Sequence, residues 1–83
     1  MNKGSKYYTF TFTININNMD KTVYGSFFAK DIDDVYNKLP NAILKHICGQ
    51  LVSYVKDINV YQKHNQVAHF WNWEEVKHSS TIA

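Results

Sequence analysis

Lys6-Tyr7-Tyr8-Thr9-Phe10-Thr11-Phe12-Thr13-Ile14-Asn15-Ile16 is the stretch on which the fold turns. Tyr8, Phe10, Phe12, Ile14 and Ile16 fall on one side of it, and Tyr7, Thr9, Thr11, Thr13 and Asn15 on the other. Strict alternation over this length specifies a strand with one buried face, because successive side chains leave the pleat in opposite directions. The threonine side favours β structure yet is polar, so it is expected to meet solvent or a partner.

Outward from this strand, Asn17-Asn18-Met19-Asp20 supplies turn residues that tolerate positive φ and predicts a hairpin. The returning strand runs from Lys21 to Phe28, with Val23 and Phe27 on the core side and Gly25 between them marking a bulge or a close backbone approach. Asp31 then opens a helix as its N-cap, Asp33 and Asp34 place negative charge where the helix dipole favours it, and Ile32, Val35, Tyr36 and Leu39 make a buried stripe. Pro40 disfavours helical geometry at Leu39 and predicts a break. A second short helix follows, carrying Ala42, Ile43, Leu44, Ile47 and Cys48 and stopping at Gly49.

The segment from Leu51 to Gln62 reads two ways. Val52, Tyr54, Ile58 and Val60 alternate as in a strand, interrupted only in that Lys56 would point the same way, while Leu44, Cys48, Leu51 and Val55 fit a continuing helix. The β-branched content favours the strand, and from Asp57 onward both readings agree on it. Lys63-His64-Asn65 is a turn, and the last strand spans Gln66 to Trp73, with Val67, His69, Trp71 and Trp73 opposite Ala68, Phe70 and Asn72. The order β-β-α-(α)-β-β predicts an α+β domain over residues 1–78: a mainly antiparallel sheet of about four strands with one helical segment packed on one face. Residues 79–83 read as a flexible tail.

The chain is 83 residues and 9.7 kDa, which suits one domain. Its 45% hydrophobic content is that of a globular protein, and its single cysteine, Cys48, excludes a disulfide framework. No apolar run approaches the ~20 residues of a membrane span. A signal peptide needs a continuous apolar segment that the alternating N-terminal strand does not offer, so the expected location is intracellular and cytoplasmic.

All nine basic residues are lysines, spread along the chain, against seven acidic ones. Without the planar fork of arginine, bidentate grips on phosphate or guanine are disfavoured. The histidines and Cys48 show none of the close pairings of structural zinc, so no metal or other cofactor is expected. His46 and Cys48 stand two apart, about 200° around a helix, and so do not form a nucleophilic pair. Asp31, Asp33 and Asp34 lack the glycine and distal glutamate of a calcium loop and are explained by capping. No glycine-rich phosphate loop exists among Gly4, Gly25 and Gly49. The expectation is therefore a protein that is not an enzyme.

What remains is an aromatic surplus, for 16% of the chain is aromatic, more than one small core needs. Tyr7, Thr9, Thr11, Tyr24, Tyr61, Trp71 and Trp73 are the candidate partner-binding residues, because tyrosine and tryptophan dominate interface hot spots. A stacking platform for single-stranded RNA or DNA is the alternative, with Lys6, Lys21, Lys56 and Lys63 as its cations. A second small core beneath the C-terminal hairpin would also use the surplus. Whether the chain is a monomer or a homodimer stays open, an uncapped edge strand being one route to self-association.

The sequence carries no motif of a known family. In size, in its single sheet-plus-helix and in its lack of catalytic groups, the whole chain resembles the small proteins that phages and mobile elements make to inhibit host machinery, anti-CRISPR proteins among them. Its richness in Asn, Lys, Ile and Tyr fits AT-rich coding DNA. The likeness implies an inhibitor that sterically occludes a host protein or nucleoprotein complex. Small ribosome-associated proteins share the β-β-α-β order, which keeps RNA binding beside it.

Overall fold

A computed structural model describes residues 4–47 and 52–79. Strand β1 (Lys6–Ile16) returns as β2 (Met19–Ala29), followed by helix α1 (Ile32–Ile47), strands β3 (Val52–Gln62) and β4 (Asn65–Asn72), and helix α2 (Trp73–Ser79). The strands form one antiparallel sheet in the order β2-β1-β3-β4. This is the α+β architecture expected from the sequence, with β1 at an interior position. Tyr8, Phe10, Phe12 and Ile14 are almost fully buried on its inner side, where Val35, Leu39 and Ile43 of α1 and Val76 of α2 complete a single core.

The first turn is tighter than the sequence suggests. Asn17 and Asn18 take φ of 54° and 64° and alone make a two-residue hairpin loop, so Met19 and Asp20 already belong to β2. Gly25 lies opposite Phe10, and a Cβ there would overlap the Phe10 ring and sit 2.8 Å from His46 Nε2. The glycine marks a close approach, and the β1–β2 register passes it without a bulge.

Pro40 does not split the helical segment: α1 continues through it. Proline in a helix interior forfeits one hydrogen bond and costs about 3 kcal/mol. The stripe that straddles it, Val35, Leu39 and Ile43, is fully buried, and at ~1.5–3 kcal/mol per side chain its burial exceeds that cost. The stripe is narrower than predicted, since Ile32 and Leu44 are exposed. Cys48 and the expected stop at Gly49 lie outside the described residues. Asp31 does cap the helix: its Oδ1 accepts from Asp34 N–H at 2.9 Å, while Asp34 Oδ2 accepts from Lys30 N–H at 2.9 Å.

The ambiguous segment is a strand from Val52, and its ambiguity has a structural cause. Between Thr11 and Thr13 of β1 the partner advances from Asn59 to Lys56, and between Ile14 and Ile16 from Val55 to Val52. Each step inserts one extra residue into β3, so its inward positions are Val52, Val55, Ile58 and Val60, and Tyr54 turns outward. Spacings of three, three and two imitate a helix. Asp57, in the first bulge, has φ 54°.

The last strand ends at Asn72, one residue earlier than predicted, and Trp73 begins α2. Asn72 Oδ1 accepts from Glu75 N–H at 3.1 Å and Glu75 Oε1 accepts from Trp71 N–H at 2.7 Å, the same reciprocal cap that opens α1. Phe70, Trp73 and Val76 join the one core, so among the described residues no second core forms beneath the C-terminal hairpin. Ser79, expected in the tail, closes α2 by donating to Val76 O at 2.8 Å; residues 80–83 lie outside the described residues. Among the described residues no helix is long and apolar enough to cross a membrane.

Candidate functional site

Both helices lie on the inner side, so among the described residues nothing covers the outer side of the sheet. It is built from the threonine side of β1 and the residues registered with it. One row across the sheet is Tyr24, Thr11, Asn59 and His69; the next, towards the β3–β4 turn, is Ser26, Thr9 and Tyr61; beyond it Tyr7 stands against Phe28. The alternation that buries Tyr8, Phe10 and Phe12 forces their neighbours outward.

Four large rings protrude from this side. Tyr7 is 53% exposed, Phe28 59%, Trp71 69% and Tyr24 73%. Tyr7 and Phe28 lean on each other with centroids 5.2 Å apart, and His69 meets Trp71 edge-on at 4.5 Å. These contacts brace Tyr7, Phe28 and Trp71. An open cavity of about 490 Å³ adjoins Tyr7 and Thr9 under the turn residues Lys63 and His64, and another of about 610 Å³ lies between Asn59, Gln66, His69 and Trp71.

Two polar clusters brace the face. At the end near the first hairpin, Asp20 Oδ1 accepts from Tyr54 Oη at 2.5 Å and from Asn15 Nδ2 at 3.0 Å, and Lys56 Nζ stands 3.8 Å from Asp20 Oδ2. These donors, Asn15 and Tyr54 before Lys56, hold the Asp20 carboxyl below its ordinary range. The cluster ties β2 to β1 and β3, and it makes Asn15 a buried polar residue on the outward side. Across β3 and β4, His69 Nε2 lies 3.1 Å from Asp57 Oδ1, and Gln66 Nε2 donates to Asn59 Oδ1 at 2.7 Å.

Of the residues predicted for partner binding, Tyr7, Thr9, Thr11, Tyr24, Tyr61 and Trp71 come together on this outer side, Thr9, Thr11 and Tyr61 half-buried between neighbours. Trp73 does not join them. It sits in the first turn of α2 and packs against the core. Phe28 and Tyr54, which also face outward, are not in the candidate set; Phe28 is legible as the register partner of Tyr7. The four lysines of the nucleic-acid alternative do not form a stripe: Lys6 and Lys63 are at one end of the sheet, Lys21 and Lys56 at the other, and Lys56 is held against Asp20 and over the Tyr54 ring at 5.0 Å. Among the described residues no three metal-ligating side chains gather.

Fold and face together define a small α+β protein with a four-stranded antiparallel sheet, covered on one side and bare on the other. The chain matches no protein-family model, no curated protein and no solved structure.

Proposed function

We propose that this chain is a non-enzymatic protein-interaction module that binds a partner through the outer side of its sheet. One observation carries the reading: Tyr7, Phe28, Tyr24 and Trp71 protrude from a single uncovered face while the opposite face holds the whole core. Rings of this size, set among hydroxyl groups, suit the centre of a protein interface, where tyrosine and tryptophan supply area at little entropic cost. The resemblance in build to small inhibitors of host machinery extends the proposal to its mode, the covering of a working surface on a larger complex. The dispersed lysines favour a protein over a single-stranded nucleic acid as the occupant, because backbone tracking needs a continuous basic groove.

The test compares alanine at Tyr7, Tyr24 and Trp71 with the parent for capture of a partner from lysate of the source cells. These side chains are more than half exposed, so the variants stay folded and lose at least tenfold in affinity if they are hot spots. Three folded variants that bind like the parent assign the interface to another surface. Binding that falls steeply with added salt and disappears on nuclease treatment moves the face to nucleic acid.

A further inference from the structure

The two edges of the sheet are finished differently. Along β4 the register shifts between Val60 and Tyr61 of its partner, the N–H of Trp71 is taken by Glu75 at 2.7 Å, and the chain leaves the sheet as α2. Such irregularities blunt an edge. Along β2 all eleven residues pair with β1 without a break, from Lys6–Ala29 to Ile16–Met19. A two-residue loop makes Ile16 and Met19 a hydrogen-bonded pair, and the alternation then turns the backbone N–H and C=O of Asp20, Thr22, Tyr24, Ser26 and Phe28 away from β1. An independent contact agrees: Lys38 Nζ, held 3.1 Å from Asp34, donates to Phe28 O at 3.1 Å.

Lys38 thus closes the last outward carbonyl and leaves four residues whose N–H and C=O are both open. Asp20, Thr22, Tyr24 and Ser26 are symmetric about Val23. We infer that β2 pairs antiparallel with β2 of a second copy of this chain across a two-fold axis at Val23, joining two four-stranded sheets into one of eight. Asp20 then lies opposite Ser26 of the other copy and Thr22 opposite its Tyr24, so the N–H and C=O of all four find partners. Charge supports this occupant. Asp20 faces the neutral Ser26 of the other copy and Lys21 faces its Gly25, so neither charge is set against its like. On the inner side the exposed Met19 falls opposite the half-buried Phe27 of the second copy. No like charges face each other in this register. The dimer leaves Tyr7 and Trp71 open, so it goes beyond the partner-binding reading and stands or falls apart from it.

Sedimentation velocity between about 1 and about 300 µM tests it, spanning the affinities that a ladder of this size supports. The expected result is a concentration-dependent shift from 9.7 kDa to twice that mass. Ser26 is exposed on β2, so its substitutions leave the core untouched and read the register. Ser26→Asp sets like charges opposite Asp20 twice and weakens the dimer about tenfold, whereas Ser26→Lys does not weaken it. Thr22→Pro removes an edge N–H that β1 does not use and abolishes the dimer. Hydrogen exchange on the parent chain supplies a readout without mutation: the Thr22 and Tyr24 amides gain protection as concentration rises. A chain that remains monomeric throughout, or a dimer in which Ser26→Asp and Ser26→Lys behave alike and the Thr22 and Tyr24 amides stay unprotected, overturns the inference.

Discussion

Gly25→Ala probes a close approach between β2 and the Phe10 ring. Gly25 faces Phe10 across the β1–β2 ladder, and an added Cβ would overlap the Phe10 ring and approach His46 Nε2 to 2.8 Å. Phe10 is 1% exposed and lies 5.9 Å from the ring of Phe12 and 5.7 Å from that of Phe27, so it has little room to retreat. Two effects compete. Replacing glycine by alanine at compatible backbone angles stabilises by about 0.4–1 kcal/mol through the unfolded state. Overpacking a close-fitted core costs about 1–3 kcal/mol. The clash is with a wedged ring, so the second effect wins, and the net loss is about 1–2 kcal/mol, or roughly 4–15 °C in Tm for a chain of this size. Urea denaturation of the parent, Gly25→Ala, Phe10→Leu and the double variant closes the cycle. The smaller leucine makes room, so the alanine costs less in the Phe10→Leu background, with a coupling of about 1 kcal/mol between the two sites. A Gly25→Ala variant as stable as the parent, or strict additivity in the cycle, refutes the close-packing account of this strand.

Pro40→Ala restores a helix-favouring residue and a backbone donor in the middle of α1 and is expected to stabilise the chain by about 1–3 kcal/mol; thermal unfolding checks this, and no gain means that the helix has adapted to the proline. Acid unfolding provides another check. Hydrogen bonds from Asn15 and Tyr54 hold the Asp20 carboxyl below its ordinary range, and the Lys30 N–H and Lys38 do so for Asp34. Both groups are depressed in the folded chain, so their stabilisation is complete above the unfolded carboxyl range near ~3.9 and is lost as pH falls through the folded values. Stability therefore declines below about pH 4, and Asp20→Asn with Asp34→Asn flattens that decline; an unchanged acid limb contradicts the assignment.

How far the sequence carries depends on whether a segment obeys one period. β1 does, and its two faces are legible in full from Tyr8, Phe10 and Phe12 against Tyr7, Thr9 and Thr11. β3 does not, because two inserted residues turn period two into the spacing Val52, Val55, Ile58, Val60, and nothing local announces a bulge at Asp57. Pro40 is a local rule overridden by tertiary burial of Val35, Leu39 and Ile43. α2 was legible in principle: Asn72-Trp73-Glu74-Glu75 is a cap followed three residues later by glutamate. Reading Trp73 as the end of an alternating strand instead placed it on the outer face. The aromatic surplus pointed to that face, but which rings reach it depends on register, as the Tyr7–Phe28 pair shows.

The proposed role of the outer face is to hold a protein. Its most direct test is capture with the tagged chain from native lysate of the source cells, divided into nuclease-treated and untreated halves, repeated with Tyr7→Ala/Trp71→Ala and read by mass spectrometry. The account predicts a protein partner in stoichiometric amount that survives nuclease and is lost with the double variant. A partner that disappears on nuclease treatment, or one that the double variant retains in full, contradicts it.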